Sequence, residues 1–230
     1  MPVLYVIATP IGNLEDVSLR VLRVLREVKL IAAEDTRKTR RLLNAYNIET
    51  SLTSYHEHSK RAKIDYLLGY LEEEDLALVS EAGMPGLSDP GYNIIVAAIE
   101  RGISVVPVPG PSAVITALVI SGLPTDQFIY VGFLPRRKGQ RQRLLSSIGD
   151  EPRTIVAFEA PHRLREALVD IQDILGDRRV SVCRELTKVH EEVFRGRVSQ
   201  AREHFAEPRG EFTLVIEGKT RAWLKFQERS

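Results

Sequence analysis

Leu76-Ala-Leu-Val79, then Ser80-Glu-Ala-Gly-Met-Pro-Gly-Leu-Ser-Asp-Pro-Gly91, then Tyr92-Asn-Ile-Ile-Val-Ala-Ala-Ile-Glu100 give an apolar run, a loop and a helical pattern in direct succession. A loop after a strand and before a helix occupies the usual ligand position of an open α/β sheet. The three glycines and two prolines of this loop permit tight turns with positive φ and a close approach of backbone to a bound molecule. Glu81 and Asp89 add acceptors.

The same unit recurs on either side. Val3 to Ala8 reads as a buried strand, Thr9 to Asp16 as its loop, and a helix follows from about Ser18. That helix turns Val21, Leu22, Leu25 and Val28 inward and Arg20, Arg23 and Glu27 outward, with Ser18 as N-cap. Leu30 to Ala33 is a second strand, Thr36 to Tyr46 a short basic helix, Ile64 to Leu71 the apolar part of another, and Ser104 to Val108 a further strand. The proline of Pro109-Gly-Pro111 is expected to open the next helix. Repeated βα units with short apolar strands predict a largely parallel sheet covered on both faces.

After Gly122-Leu-Pro124 the texture changes. Phe128 to Phe133, Thr154 to Phe158, Val180 to Leu186, Val189 to Val198 and Glu211 to Glu217 are strand candidates, with helices at Arg141 to Ile148, Arg163 to Leu175 and Gln200 to Phe205. Strands in direct succession, as around Leu186 to Val189, suggest antiparallel pairs and a mixed sheet. The expected division is an α/β domain over 1–122 and an α+β domain over 123–230.

Composition narrows the classes. At 230 residues, 43% apolar and 27% charged, the chain has the make-up of a soluble globular protein with one large or two small cores. No apolar stretch nears the roughly 20 residues of a membrane span, and Met1-Pro-Val-Leu-Tyr5 has no basic leader, so a cytoplasmic address with no membrane partner is expected. The single cysteine, Cys183, excludes an intrachain disulfide and multi-cysteine metal sites and reads as core filling. The net charge of +1 hides two basic clusters, Arg37, Lys38, Arg40, Arg41 and Arg136, Arg137, Lys138, Arg141, Arg143. Such runs are either solvated helix faces or contacts to nucleic-acid phosphates.

Three loops, Thr9 to Asn13, Ser80 to Gly91 and Pro109 to Ala113, converge at one sheet edge, which favours a ligand site over three plain turns. No G-x-G-x-x-G, G-x-S-x-G or H-E-x-x-H is present, so dinucleotide, hydrolase-elbow and zincin chemistries drop out. His56-Glu57-His58 lacks further paired ligands, and no metal is expected.

These motifs carry a resemblance. Leu4-Tyr-Val-Ile-Ala-Thr-Pro-Ile-Gly-Asn-Leu14, Leu30-Ile-Ala-Ala-Glu-Asp-Thr-Arg37, Glu81-Ala-Gly-Met-Pro85 with Ser88-Asp-Pro-Gly91, and Val106-Pro-Val-Pro-Gly-Pro-Ser112 resemble the bacterial ribosomal RNA small subunit methyltransferase I family, within the tetrapyrrole methylase superfamily. Gly132-Phe-Leu-Pro135, Glu159-Ala-Pro-His-Arg-Leu164, Arg184-Glu-Leu-Thr-Lys188 and Gly210-Glu-Phe-Thr-Leu214 extend the likeness over almost the whole chain. Glu81 and Met84 stand where the family usually carries Asp and Thr.

The resemblance implies a two-domain class III methyltransferase fold, a homodimer, and S-adenosylmethionine folded into the cleft between the domains. It implies methyl transfer to the ribose 2′-oxygen of a cytidine in the decoding region of 16S ribosomal RNA, on the 30S subunit. Carried onto this sequence, the cofactor lies against Pro10, Ile11, Gly12, the turn Glu81, Ala82, Gly83, Met84, then Ser112 and Ala113, and second-domain backbone near Phe158, Glu159, Gly210 and Phe212. A sulfonium and an amino-acid tail want acceptors, helix N-termini and an apolar slot, which such loops supply. Ribose methylation needs a base only as the proton leaves. Glu34, Asp35 and Arg37 follow a strand end and are the catalytic candidates, with Asp35 equally readable as the cap of the Thr36 helix. A small-molecule tetrapyrrole methylase and a non-enzymatic RNA-binding protein are the alternatives.

Overall fold

The computed structural model describes residues 2–56 and 61–219. Between Ser112 and Ala113 the chain divides into two compact units. The first contains β1 (Val3–Ile7), α1 (Leu19–Glu27), β2 (Leu30–Ala33), α2 (Thr36–Ala45), β3 (Ser51–Ser54), α3 (Arg61–Tyr70), β4 (Leu76–Val79), α4 (Tyr92–Glu100) and β5 (Ser104–Val108). Its sheet runs β3-β2-β4-β1-β5 with every pair parallel.

All four residues of β2 and of β4 are buried, as continuous apolar strands between two helical layers must be. In α1 the Ser18 hydroxyl accepts from Val21 N at 3.1 Å, and Val21, Leu22, Val24 and Leu25 are buried. Each such side chain contributes about 1.5–3 kcal/mol. α1 and α2 pack with Ile7, Ile31 and Val79 on one face; α3 and α4 pack with Leu4, Leu76 and Leu78 on the other.

The second unit contains α5 (Ala113–Ile120), β6 (Phe128–Phe133), α6 (Lys138–Ser147), β7 (Thr154–Glu159), α7 (Pro161–Leu175), β8 (Arg179–Arg184), β9 (Glu192–Arg197), α8 (Val198–His204) and β10 (Phe212–Ile216). Its sheet runs β6-β7-β10-β8-β9, parallel at β6/β7 and antiparallel elsewhere. Leu145 of α6, Leu164, Leu168 and Ile171 of α7, and Val198 and Ala201 of α8 share one core with Ile155, Ala157, Val182 and Leu214 of the sheet.

Helix α5 departs from the sequence reading in two ways. It begins at Ala113, so Pro109 and Pro111 lie in the connection and neither opens it. It also packs on β10 and β7, which puts the division ahead of α5 and not at Gly122. A helix of sequence Ala-Val-Ile-Thr-Ala-Leu-Val-Ile is apolar all round, and its affiliation follows the sheet that buries it. β3 was not anticipated either, because Ser-Leu-Thr-Ser at the sheet edge is half exposed and carries no apolar run.

Candidate functional site

In the first unit β1 and β4 are neighbours, yet the helices that follow them, α1 and α4, cover opposite faces. Adjacent strands whose following helices lie on opposite faces form the switch point at which open α/β sheets take ligands. Two backbone bonds tie the loops together: Thr9 N to Gly83 O at 2.9 Å and Gly83 N to Thr9 O at 3.0 Å. The Thr9 hydroxyl donates to Ser80 O at 3.4 Å. Gly83 sits at φ +73°, which only glycine adopts without strain, and a side chain at Gly91 would come within 2.8 Å of Gly86 N. The loop is thus folded on its own backbone and presents its residues from a fixed frame.

Pro10, Ile11 and Gly12 are brought against Ala82, Gly83 and Met84 by that bridge; a Cβ on Gly83 would lie 3.6 Å from the Ile11 side chain. On the next strand, Ala8 N donates to Val108 O at 3.1 Å, and the chain continues through Pro109-Gly-Pro111 to Ser112, with Ala113 opening α5.

On the other side of β4, β2 leads directly into Glu34 and Asp35. The half-buried Glu34 carboxylate accepts from Glu81 N at 3.1 Å, so it buttresses the β4 loop directly. Burial, with the Glu81 carboxylate nearby, pushes its pKa up against the lowering effects of the Glu81 amide, His56 and Lys38. Asp35 is employed differently. Its carboxylate caps α2, accepting from Arg37 N at 2.8 Å and Lys38 N at 3.3 Å, and these amides with the Arg37 guanidinium lower its pKa. Of the two carboxylates, Glu34 is the stronger base and Asp35 is a helix cap. Arg37 projects from the first turn of α2 and is 90% exposed. Lys38 pairs with the Glu81 carboxylate.

This edge of the unit therefore gathers glycine backbone, the side chains of Pro10, Ile11 and Met84, and two carboxylates, Glu34 and the Lys38-paired Glu81. A ligand with an apolar body and a positive centre fits that set.

In the second unit, antiparallel pairing of β7 with β10 sets Glu159 opposite Phe212 and Phe158 opposite Thr213, just after Gly210 at φ +91°. Alternation along the strand sends Phe158 and Glu159 to opposite faces. Phe158 keeps its ring on the side of Tyr130 and Phe133, with centroids 5.3 Å from each. Phe212 turns into the helix-covered core against Phe205. The Glu159 side chain is fully buried beneath α7, accepting from Ala160 N and pairing with Arg163, both at 2.7 Å, and burial raises its pKa. At Glu159 and Phe212, backbone alone is left on the Phe158 side of the sheet.

The basic clusters diverge. On α2, Arg37, Lys38 and Arg41 are exposed, and Arg40 is half-buried with its guanidinium 3.5 Å from Thr50 O. Around α6, Arg136, Arg137, Lys138 and Arg143 are exposed. Arg141 is a correction: it is 1% exposed and ion-paired with Asp170 at 2.6 Å, so it is no surface cation. Among the described residues no group of three or more His, Cys, Asp and Glu side chains is placed to hold a metal ion; Glu57 and His58 lie outside the described residues. No described helix is long and apolar enough to cross a membrane. Cys183 is buried, which raises its thiol pKa.

Residues 3–202 match the family described as tetrapyrrole (corrin/porphyrin) methylases. The chain is 52% identical over 219 residues to the ribosomal RNA small subunit methyltransferase I of Halalkalibacterium halodurans, covering 94% of this chain and 75% of that one. It is 51% identical over 219 residues to the protein of the same name from Thermotoga maritima, covering 94% and 98%. A crystal structure of diphthine synthase superposes with a TM-score of 0.73 at 13% identity, covering 99% of this chain and 94% of that one, a likeness of fold alone. On its sequence and its two sheets, the chain belongs to the ribosomal RNA small subunit methyltransferase I family of tetrapyrrole methylases.

Proposed function

We propose that this chain transfers a methyl group from S-adenosylmethionine to the ribose 2′-oxygen of a cytidine in the decoding region of 16S ribosomal RNA, acting on the 30S subunit as a cytoplasmic homodimer. The observation that carries this reading is the bridged pair of glycine loops at the β1/β4 switch point, flanked by a base, Glu34, and a basic helix, α2. The names of the relatives support the substrate class.

When bound, S-adenosylmethionine supplies an electrophilic methyl carbon on a sulfonium. Pro10 to Gly12 and Glu81 to Met84 would hold it in the first unit, with Glu81 exchanging Lys38 for its positive charge. Ser112 is the remaining candidate of this unit; in the second unit the candidates are Ala113, Phe158 and the backbone at Glu159, Gly210 and Phe212. Glu34 takes the proton of the 2′-hydroxyl, and its raised pKa makes it a better acceptor than an exposed glutamate. The exposed cations of α2 and α6 meet RNA phosphates, and holding the reacting atoms together supplies several kcal/mol of the barrier.

The test is transfer of labelled methyl to 30S subunits from a strain lacking this protein, with the modified nucleoside identified by mass spectrometry. The expected product is 2′-O-methylcytidine. Donor binding without transfer would redirect the search to small tetrapyrrole acceptors, and no donor binding at millimolar concentration would leave a non-enzymatic RNA-binding role.

A further inference from the structure

We propose that Arg163 and Asp170, on α7, are positioning residues that clasp the two ends of the segment 134–142 and so present Arg136, Arg137 and Lys138 in a fixed register to a polyanion; the polyanion being ribosomal RNA rests on the function proposed above.

The helix α6 has little of its own to hold it. Its first turns, Lys138-Gly-Gln-Arg-Gln142, contain no apolar residue, and no side chain caps it at Arg137. Its anchoring there is ionic. Arg141 is buried and donates from Nε to Asp170 Oδ2 at 2.7 Å, and Gln142 Nε2 donates to Asp170 Oδ1 at 2.9 Å. The other end of the segment is fixed by a second set of bonds. Leu134 is buried, its N–H donates to Phe158 O at 3.1 Å, and its carbonyl accepts from Arg163 Nη1 at 3.2 Å. Arg163 is in turn held by the buried Glu159 at 2.7 Å.

Seven residues separate positions 163 and 170, two turns of α7, so both clasps stand on one face of the same helix. Between them, Arg136, Arg137 and Lys138 are exposed, and none has an acidic partner within ion-pair distance among the described residues.

Stability alone does not account for this arrangement. A buried ion pair is commonly matched or bettered by apolar side chains of similar volume. Here the network is also incompletely satisfied, since Arg141 Nη1, Glu159 Oε2 and Arg163 Nε are buried without a hydrogen-bond partner. What directional bonds supply and apolar packing does not is a single orientation, which three adjacent cations need if they are to match phosphates at fixed spacing.

The experiment uses the full chain, 30S subunits and S-adenosylmethionine. Asp170→Asn keeps the shape and removes the charge. The expected result is a rise of about tenfold in KM for 30S at unchanged kcat and unchanged donor affinity, with faster amide exchange confined to 134–142. If Asp170→Asn fails to fold, the paired exchange Arg141→Leu with Asp170→Leu removes both charges at once and is expected to give the same split. Arg141→Lys, which keeps a cation opposite Asp170, is expected to raise KM for 30S less than Asp170→Asn does. KM unchanged in both charge-removing variants, or kcat falling together with amide exchange rising throughout the second unit, overturns the proposal. The triple variant Arg136→Ala, Arg137→Ala, Lys138→Ala separates the two readings. If it keeps the wild-type KM while wild type methylates 30S, the clasp proposal falls and the methyltransferase stands; if wild type transfers nothing to 30S, both fall.

Discussion

Helices α2 and α6 read nearly alike, each a run of cations leading into a pair of leucines, and they are built on different principles. α2 starts on its own cap, Asp35, and buries Thr39, Leu42 and Leu43; its cations stay at the surface, with Arg40 half-buried. α6 has no cap and one fully buried leucine, Leu145, and it draws Arg141 inward to Asp170. The capped helix keeps its cations at or near the surface, whereas the uncapped one is anchored through a buried cation. The number of basic residues in a run therefore overstates the number available to a partner.

The largest effect that sharpens this contrast belongs to α2's side. Glu34→Gln is expected to lower kcat by about 10²–10⁴-fold, while no alanine at Arg136, Arg137 or Lys138 changes kcat at saturating 30S. Single-turnover methyl transfer measures it, and full activity in Glu34→Gln would move the base elsewhere. The pH profile follows from the same residue. Burial raises the Glu34 pKa, so the protonated, inactive form persists to higher pH. kcat/KM then climbs as pH rises through that raised value, and its acid limb lies above the 4.5 of an ordinary glutamate.

The next effect belongs to α6. Arg141→Ala strands the Asp170 carboxylate in the core and is expected to cost about 3–5 kcal/mol in urea unfolding. Arg41→Ala on α2 should stay within about 0.5 kcal/mol. Equal midpoints for the two variants would erase the distinction between the helices. Smaller again is Asp35→Ala, which removes a cap and is expected to cost about 1 kcal/mol by the same assay, with a far smaller change in kcat than Glu34→Gln. Smallest is the salt dependence of RNA binding. Arg37→Ala and Arg136→Ala should each flatten the slope of log K against log salt by about 0.7 to 0.9. A flattening by only one of them would restrict phosphate contact to one helix.

Much of this was readable from the residues because the decisive signals are local. β2 and β4 announce themselves by unbroken apolar text, Ser18 by its place before the α1 pattern, and the loops after β1 and β4 by their glycines and prolines. β3 was not, since a polar edge strand is specified by the neighbour it pairs with. The start of α5 is not legible locally because a proline can open a helix or lie in the connection before one, and here the sheet beneath decides. The surroundings of Glu34, named among the catalytic candidates, and the burial of Arg141 are not legible for the same reason. Glu34 acquires its environment from Glu81 and Arg141 from Asp170, partners 47 and 29 residues away that no local spacing ties to them.

The chain's one thiol lies in β8, 1% exposed, with its sulfur 3.7 Å from the Ser181 hydroxyl. A maleimide added to the native protein thus has a single address, and it is reached only in molecules whose second sheet has opened. The labelling rate is a built-in clock for that opening, and it runs without any engineered reporter or dye-bearing substitution.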